Sequence, residues 1–180
     1  MQRFEAELLQ NLEEVFGWYE LQLVLLNEEE RRLPQLLSSA ELPERYSDES
    51  LGDLRERFAL ARKHLEYAAM LHILTTMEAL LRLDFQDLSK RQTKPRIFRR
   101  FRKLRREQEK IRLDEILNIW IDVYPETTRS IRDFKGVVPL RDWLAHGRYW
   151  NPKNIGRSVY QVRDVFDIAS EMLNRMQEAG

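Results

Sequence analysis

Hydrophobic residues recur along most of this chain at spacings of three and four, the period of an α-helix that buries one face. The pattern predicts helices over residues 2–33, 49–85, 96–124, 127–136, 139–146 and about 157–178. Pro34 is expected to end the first helix, and Ser47 or Asp48 to cap the second. The predicted fold is all-α, a single domain over 1–180 built as a bundle of about five helices with a long N-terminal helix.

The predicted second helix is the most apolar segment of the chain. Nearly every face is apolar from Ala68 to Leu81, which predicts that this helix lies at the centre of the bundle. Glu78 stands inside that run. A buried carboxylate is costly without a partner, so Glu78 either meets a cation or lies on a solvated stripe.

The predicted third helix begins after a polar connector over residues 86–94 and is opened by Pro95. Its first half is strongly basic: residues 90–112 carry twelve Lys or Arg against two Glu, whereas residues 1–56 carry fourteen acids against five cations. Self-repulsion opposes such a helix unless phosphates or the acidic first helix screen it. We favour the phosphates of a nucleic acid as the groups that screen this charge. The residues of the helix expected to contact them are Arg96, Arg99, Arg100, Arg102 and Lys103.

Composition excludes several classes of protein. The 180 residues include no cysteine, so neither a disulfide framework nor a thiolate metal site is expected. His64 and His72 have no third ligand at a suitable spacing, and we expect no metal and no cofactor. No uncharged run of 18 apolar residues occurs and the N-terminus lacks the form of a signal peptide, so we expect a cytoplasmic protein without a membrane partner.

Residues 138–150 concentrate the candidate chemistry. Pro139 suits the first position of a short helix and Gly147 the position after its end, after a preceding helix that ends at Gly136. Within the short helix that starts at Pro139, Arg141 and His146 are five residues apart, which is about 140° around the helix axis. A tight turn at Gly147 would bring the imidazole beside the guanidinium.

The segment Arg141-Asp142-Trp143-Leu144-Ala145-His146-Gly147 resembles the active-site motif of the HEPN superfamily, all-helical domains of which many are metal-independent ribonucleases. Their motif is an Arg, often followed by Asn, Asp or His, then three residues and a His. One family variant has a Tyr two residues after the His, whereas here Tyr149 follows at three. The resemblance covers residues 60–150. It implies that 48–180 form a HEPN-like core, preceded by an acidic helix and connector over 1–47.

The resemblance also implies a mechanism. His146 would be the general acid or base at the ribose 2′-hydroxyl, and Arg141 would stabilise the phosphorane. Asp142 would orient His146 or accept a hydrogen bond from Arg148. In many HEPN domains an acid on a central helix points toward this site, which indicates a pair between Glu78 and Arg141.

HEPN nucleases are typically homodimers that set two such motifs across an interface, so a homodimer is expected here. Trp143, Tyr149 and Trp150 are candidates for that interface or for base stacking, and ordinary core packing is the alternative for Trp143. Arg148, Tyr149 and Trp150 complete the expected RNA-contacting set. The predicted function is a metal-independent endoribonuclease, and a role as a toxin or defence component with a cognate antitoxin is one hypothesis for it. The alternative is a HEPN-type scaffold that binds RNA or protein without cleaving.

Overall fold

A computed structural model of the chain describes residues 2–38, 44–46, 49–91, 95–146 and 160–179. Every secondary-structure element in these ranges is helical, which confirms the all-α prediction. The α-helices are α1 (Gln2–Ser38), α2 (Leu51–Lys90), α3 (Arg96–Glu107), α4 (Leu113–Val123), α5 (Thr128–Ala145) and α6 (Val162–Ala179). Two short 3₁₀ turns cover Glu44–Tyr46 and Pro125–Thr127. None of these helices is long and apolar enough to cross a lipid bilayer.

Helix α2 is the centre of the bundle, as its apolar sequence predicts. It packs against each of the other five α-helices. Its side chains Ile73, Leu74, Met77 and Leu81 are almost completely buried. They form one continuous cluster with residues of the surrounding helices, among them Leu12, Phe101, Ile116, Phe134 and Val165.

The first helix packs along α2 and α6 and continues past the proline that was expected to end it. Near its N-terminal half, Leu12 and Phe16 join the main cluster. Near its C-terminal end, Leu33 packs in a second cluster with Tyr46, Leu54 and Phe58. Pro34 lies about one turn before the end of α1, where its missing N–H leaves the carbonyl of Glu30 without its intrahelical donor. Complete burial of Leu33 beside it offsets that cost and holds the helix in place.

The two ends of α2 differ from the sequence prediction. Its N-cap is Ser50 instead of Ser47 or Asp48, and Ser50 forms a reciprocal capping box with Asp53. At the other end the helix runs to Lys90, through residues assigned to a polar connector. Leu88 and Ser89 are buried there, which explains why the polar sequence remains helical.

The predicted long third helix is in fact two helices, α3 and α4, separated by residues 108–112. The Arg112 backbone N–H donates to the Glu115 carboxylate at 2.8 Å, and Gln108 donates to the same side chain at 2.6 Å. These two bonds, the backbone bond first, lower the pKa of Glu115. The ionised carboxylate therefore stabilises the start of α4 above the ordinary pKa of Glu, and this support is lost as the pH falls through the lowered folded-state pKa.

The predicted break between Gly136 and Pro139 is also wrong, because α5 continues through both residues. Pro139 has no N–H to donate to the carbonyl of Lys135, so the helix forgoes one bond at that point. The buried side chains Phe134, Val137 and Leu140 lie on both sides of this position. Their packing outweighs the two helix-breaking residues.

The continuity of α5 gives a stability prediction. A methyl group added at Gly136 would meet only the Tyr160 hydroxyl, at 3.9 Å, and the residue is exposed. Since glycine in a helix interior is less favourable than alanine by about 0.5–1 kcal/mol, Gly136→Ala should raise the free energy of unfolding by about that amount. Urea denaturation of the variant measures it.

Gly17→Ala is the matched control, because Gly17 lies inside α1 with open space around its Cα. Both substitutions should stabilise the protein to a similar degree. A loss of stability confined to Gly136→Ala would mean that α5 ends where the sequence pattern placed its end.

Candidate functional site

Arg141 and Glu78 form an ion pair between α5 and α2, as predicted. The Arg141 Nη1 group donates to Glu78 Oε2. The two side chains are mostly buried, with 19% and 23% of their surface exposed. Glu78 therefore lies at the edge of the core and is neutralised there, which excludes the alternative of a solvated stripe.

The second oxygen of Glu78 binds another arginine. Arg82 Nε and Nη2 lie 2.8 and 2.7 Å from Glu78 Oε1. Arg82 Nη1 also donates to the backbone carbonyl of Ile111, at 3.1 Å, in the segment between α3 and α4. One carboxylate thus connects α5, α2 and that segment. We call Glu78, Arg82, Arg141 and Asp142 the polar network.

Asp142 supports Arg141 from the other side. Its Oδ1 atom accepts from Arg141 Nε at 3.0 Å and from Nη2 at 2.7 Å. The described partner of this carboxylate is therefore the neighbouring arginine, and Arg148, one of its two predicted partners, lies outside the described residues. The Asp142 backbone carbonyl, however, accepts the His146 N–H at 3.1 Å.

His146 is the C-cap of α5 and is exposed. Arg141 lies five positions earlier, about 7.5 Å along the axis, and is turned inward onto Glu78. The expected turn at Gly147 lies outside the described residues, as do Arg148, Tyr149 and Trp150. The described site is thus a fixed guanidinium followed, at the helix end, by an exposed imidazole.

Trp143 packs within its own chain. Its ring meets that of Tyr67 edge-on at 5.7 Å between centroids, and the residue is partly buried against the main cluster. This position favours core packing for Trp143 over the stacking of a displaced base.

Helix α3 presents the basic surface. Ile97, Phe98 and Phe101 bury its inner face. Three of the cations expected to contact RNA make contacts within the chain: Arg100 with Asp122 at 2.7 Å, Lys103 with Glu107 at 3.7 Å, and Arg102 with the carbonyl of Arg91.

Arg96, Arg99 and Arg106 are exposed and form no ion pair with any described residue. The alternative to a nucleic acid was that the acidic first helix neutralises the cations of α3. The described ion pairs of α1 are made with other helices. Glu20 pairs with Arg163 of α6 and Glu30 with Arg62 of α2, while α3 packs on α2 and α4. Charge on α3 is therefore only partly compensated within the described fold.

A groove of about 700 Å³ adjoins both the basic helix and the polar network. It is lined by Phe85, Gln86, Lys90, Arg105, Arg106, Glu107, Gln108, Glu109 and Ile111. Ile111 links the two features, because its carbonyl accepts from Arg82. We call this depression the α2–α3 groove.

Sequence reasoning missed the contribution of Arg82 and Lys90 to this surface. The signal was present, since residues 78, 82, 86 and 90 follow one another at intervals of four and share a face of a continuous helix. Ending the predicted helix at residue 85 concealed only Lys90, since Glu78 and Arg82 both lie within the predicted range. No group of three His, Cys, Asp or Glu among the described residues could hold a metal ion, and His64 and His72 are both exposed.

No family model, curated protein or solved structure matches this chain. The likeness to HEPN domains therefore continues to depend on the motif at residues 141–146 and on its position in a helical bundle.

The polar network predicts a difference between the two carboxylates that hold Arg141. Glu78→Gln removes the counter-ion that Arg82 shares with the mostly buried Arg141, and it should lower the free energy of unfolding by about 2 kcal/mol. Asp142→Asn removes a contact whose acid is half exposed, so its cost should stay below about 1 kcal/mol. Guanidinium chloride denaturation compares them, and equal losses would contradict the central place given to Glu78.

Proposed function

We propose that this protein is a metal-independent endoribonuclease of HEPN type in which His146 and Arg141 carry the chemistry. The observation that carries the proposal is the fixed Arg141 guanidinium, held by Glu78 and Asp142, one and a half turns before an exposed His146. The α2–α3 groove adds cationic surface next to this network.

In the proposed reaction His146 takes the proton from a ribose 2′-hydroxyl. The 2′-oxygen attacks the adjacent phosphorus, and the bond from phosphorus to the 5′-oxygen breaks. The 5′-oxygen leaves with a proton supplied by a second acid, so the products are a 2′,3′-cyclic phosphate and a 5′-hydroxyl end.

Arg141 has capacity to stabilise the charge that develops on the phosphorane. A guanidinium has five N–H donors, and the contacts to Glu78 and Asp142 use three of them. Two N–H groups remain for the non-bridging oxygens. Because both carboxylates fix the fork beforehand, little rotamer entropy is lost when phosphate binds.

The second acid is the reason to propose a homodimer. A single imidazole that has taken the 2′ proton is not placed on the opposite side of the phosphorus to protonate the leaving oxygen. His146 of a second copy would supply that proton if the two helix ends face one another. A toxin or defence role, with an antitoxin covering the groove, belongs to the same proposal.

The rival function is a non-catalytic scaffold that binds RNA along the same groove. One observation favours it: the charge of Arg141 is already offset by Glu78 and Asp142, so its field at a phosphate is weakened. Cleavage and binding assays separate the two functions.

Cleavage is tested with purified protein, a fluorescent single-stranded RNA and EDTA. The wild type should produce fragments that end in 2′,3′-cyclic phosphate, and His146→Ala should reduce the rate about 100-fold or more because proton transfer is lost. His72→Ala is the control, since this histidine is exposed on α2 and has no proposed role. Its rate should equal that of the wild type. Intact RNA with the wild type and both variants would contradict the nuclease proposal and leave the non-catalytic, RNA-binding scaffold as the function.

Binding is tested by the salt dependence of affinity, in the His146→Ala background so that the RNA stays intact. Replacing Arg96, Arg99 and Arg106 together by Ala should reduce the slope of log K against log salt by about 2, since each phosphate contact on a single strand contributes about 0.7.

The control variant removes three exposed arginines of helices other than α3, namely Arg55 of α2 and Arg129 and Arg132 of α5. It changes the net charge equally and should leave the slope nearly unchanged. Equal effects of the two triple variants would show that α3 is not the RNA-binding surface.

A further inference from the structure

The outward face of α1 carries a regular row of exposed residues. The row, at alternating spacings of four and three, consists of Glu14, Trp18, Leu21, Leu25, Glu28 and Arg32. Its three apolar members are half exposed: 43% for Trp18, 57% for Leu21 and 51% for Leu25. The side of α1 that packs on the bundle is a different one, formed by residues such as Leu12, Val15, Phe16 and Leu33.

Spacings of four and three are those of the a and d positions in a two-stranded coiled coil. A row of this kind keeps the same side of a helix facing a partner helix over about 27 Å, the rise from residue 14 to residue 32. Adjacent apolar side chains left half exposed on one ridge mark a surface for association. We call this row the α1 seam, and we propose that it joins two copies of this chain through an antiparallel pair of α1 helices.

The charges on the seam identify a second copy as its partner. In an antiparallel pair centred on residue 23, Leu21 packs against Leu25 of the second copy. Glu14 then lies opposite Arg32 of the second copy, and the two-fold axis repeats this ion pair at the other end. Trp18 lies beside Glu28 of the second copy, whose carboxylate can accept from the indole N–H.

The same charges exclude a parallel pair. With the helices in parallel register each residue meets its own copy, so Glu14, Glu28 and Arg32 would all face like charges. Like charges at directly facing positions are destabilising. Only the antiparallel arrangement combines apolar contacts at the centre with opposite charges at both ends. Val24, half exposed beside the row, lies next to the axis in that arrangement.

The α1 seam is separate from the proposed catalytic site. Helix α1 contacts the face of α2 that bears Arg62, through Glu30. Glu78 follows Arg62 by 16 residues, which is about 160° around the helix axis. The seam therefore leaves Arg141 and His146 open on the far side of each copy, and an assembly that uses both the seam and facing His146 ends is a tetramer.

Analytical ultracentrifugation of the full chain tests the seam. The double variant Leu21→Glu/Leu25→Glu places four acids at the centre of the pair and should halve the mass of the wild-type particle. The control is Leu60→Glu/Leu83→Glu, which makes the same change at two leucines that are equally exposed on α2. It should sediment like the wild type. A wild-type monomer at micromolar concentration, or a seam variant of unchanged mass, overturns the proposal.

Charge exchange tests the antiparallel register without disturbing the apolar contacts. Glu14→Arg alone, or Arg32→Glu alone, should raise the dissociation constant about tenfold, because two ion pairs become two repulsions. The two substitutions together should restore it to within about threefold of the wild type. Far-UV circular dichroism confirms that each variant is folded. Failure of the double exchange to recover affinity overturns the register, whatever the nuclease assays show.

Discussion

A single carboxylate on the central helix determines how three parts of this fold meet. Glu78 stands among the apolar side chains of α2, where an unpaired charge would be strongly unfavourable. Arg141 of α5 and Arg82 of α2 each take one of its oxygens, and Arg82 continues to the carbonyl of Ile111. The end of α5 and the segment between α3 and α4 are therefore attached to α2 at adjacent positions. The candidate site and the α2–α3 groove are neighbours for this reason.

The all-α class and the central place of α2 were predictable from hydrophobic periodicity, because burial of a continuous apolar face dominates both. Helix ends were predicted poorly where a single proline or glycine was given more weight than the packing around it. Pro34, Gly136 and Pro139 all lie inside helices, each beside fully or mostly buried neighbours. The break at 108–112 was missed because its cause is a capping carboxylate and a hydrogen bond from a distant arginine.

At the candidate site, the Glu78–Arg141 pair was predictable from the motif together with the position of one acid in an apolar run. The contact between Asp142 and Arg141 was not predictable, since neighbours one residue apart in a helix are not expected to face each other. Arg82 and Lys90 were missed for a different reason. Arg82 follows Glu78 by four residues inside the predicted helix, so its pairing was available from the sequence, whereas Lys90 joins the same face only because α2 continues to residue 90.

The two sides of α2 contact different parts of the fold. One side bears Glu78 and faces the polar network, and the other supports α1 through contacts such as Arg62 with Glu30. Glu20 and Glu30 of α1 pair with Arg163 of α6 and Arg62 of α2, so neither acid neutralises the cations of α3. The zero net charge of the chain conceals this division.

The most direct test of the central claim is a double-mutant cycle between Glu78 and Arg141, using Glu78→Gln and Arg141→Met in denaturant unfolding. If the pair fixes α5 on α2, the coupling free energy should be about 1–3 kcal/mol, so that the second substitution costs little once the first is present. A coupling below about 0.3 kcal/mol would show that the two side chains act independently, and the proposed placement of Arg141 would be contradicted.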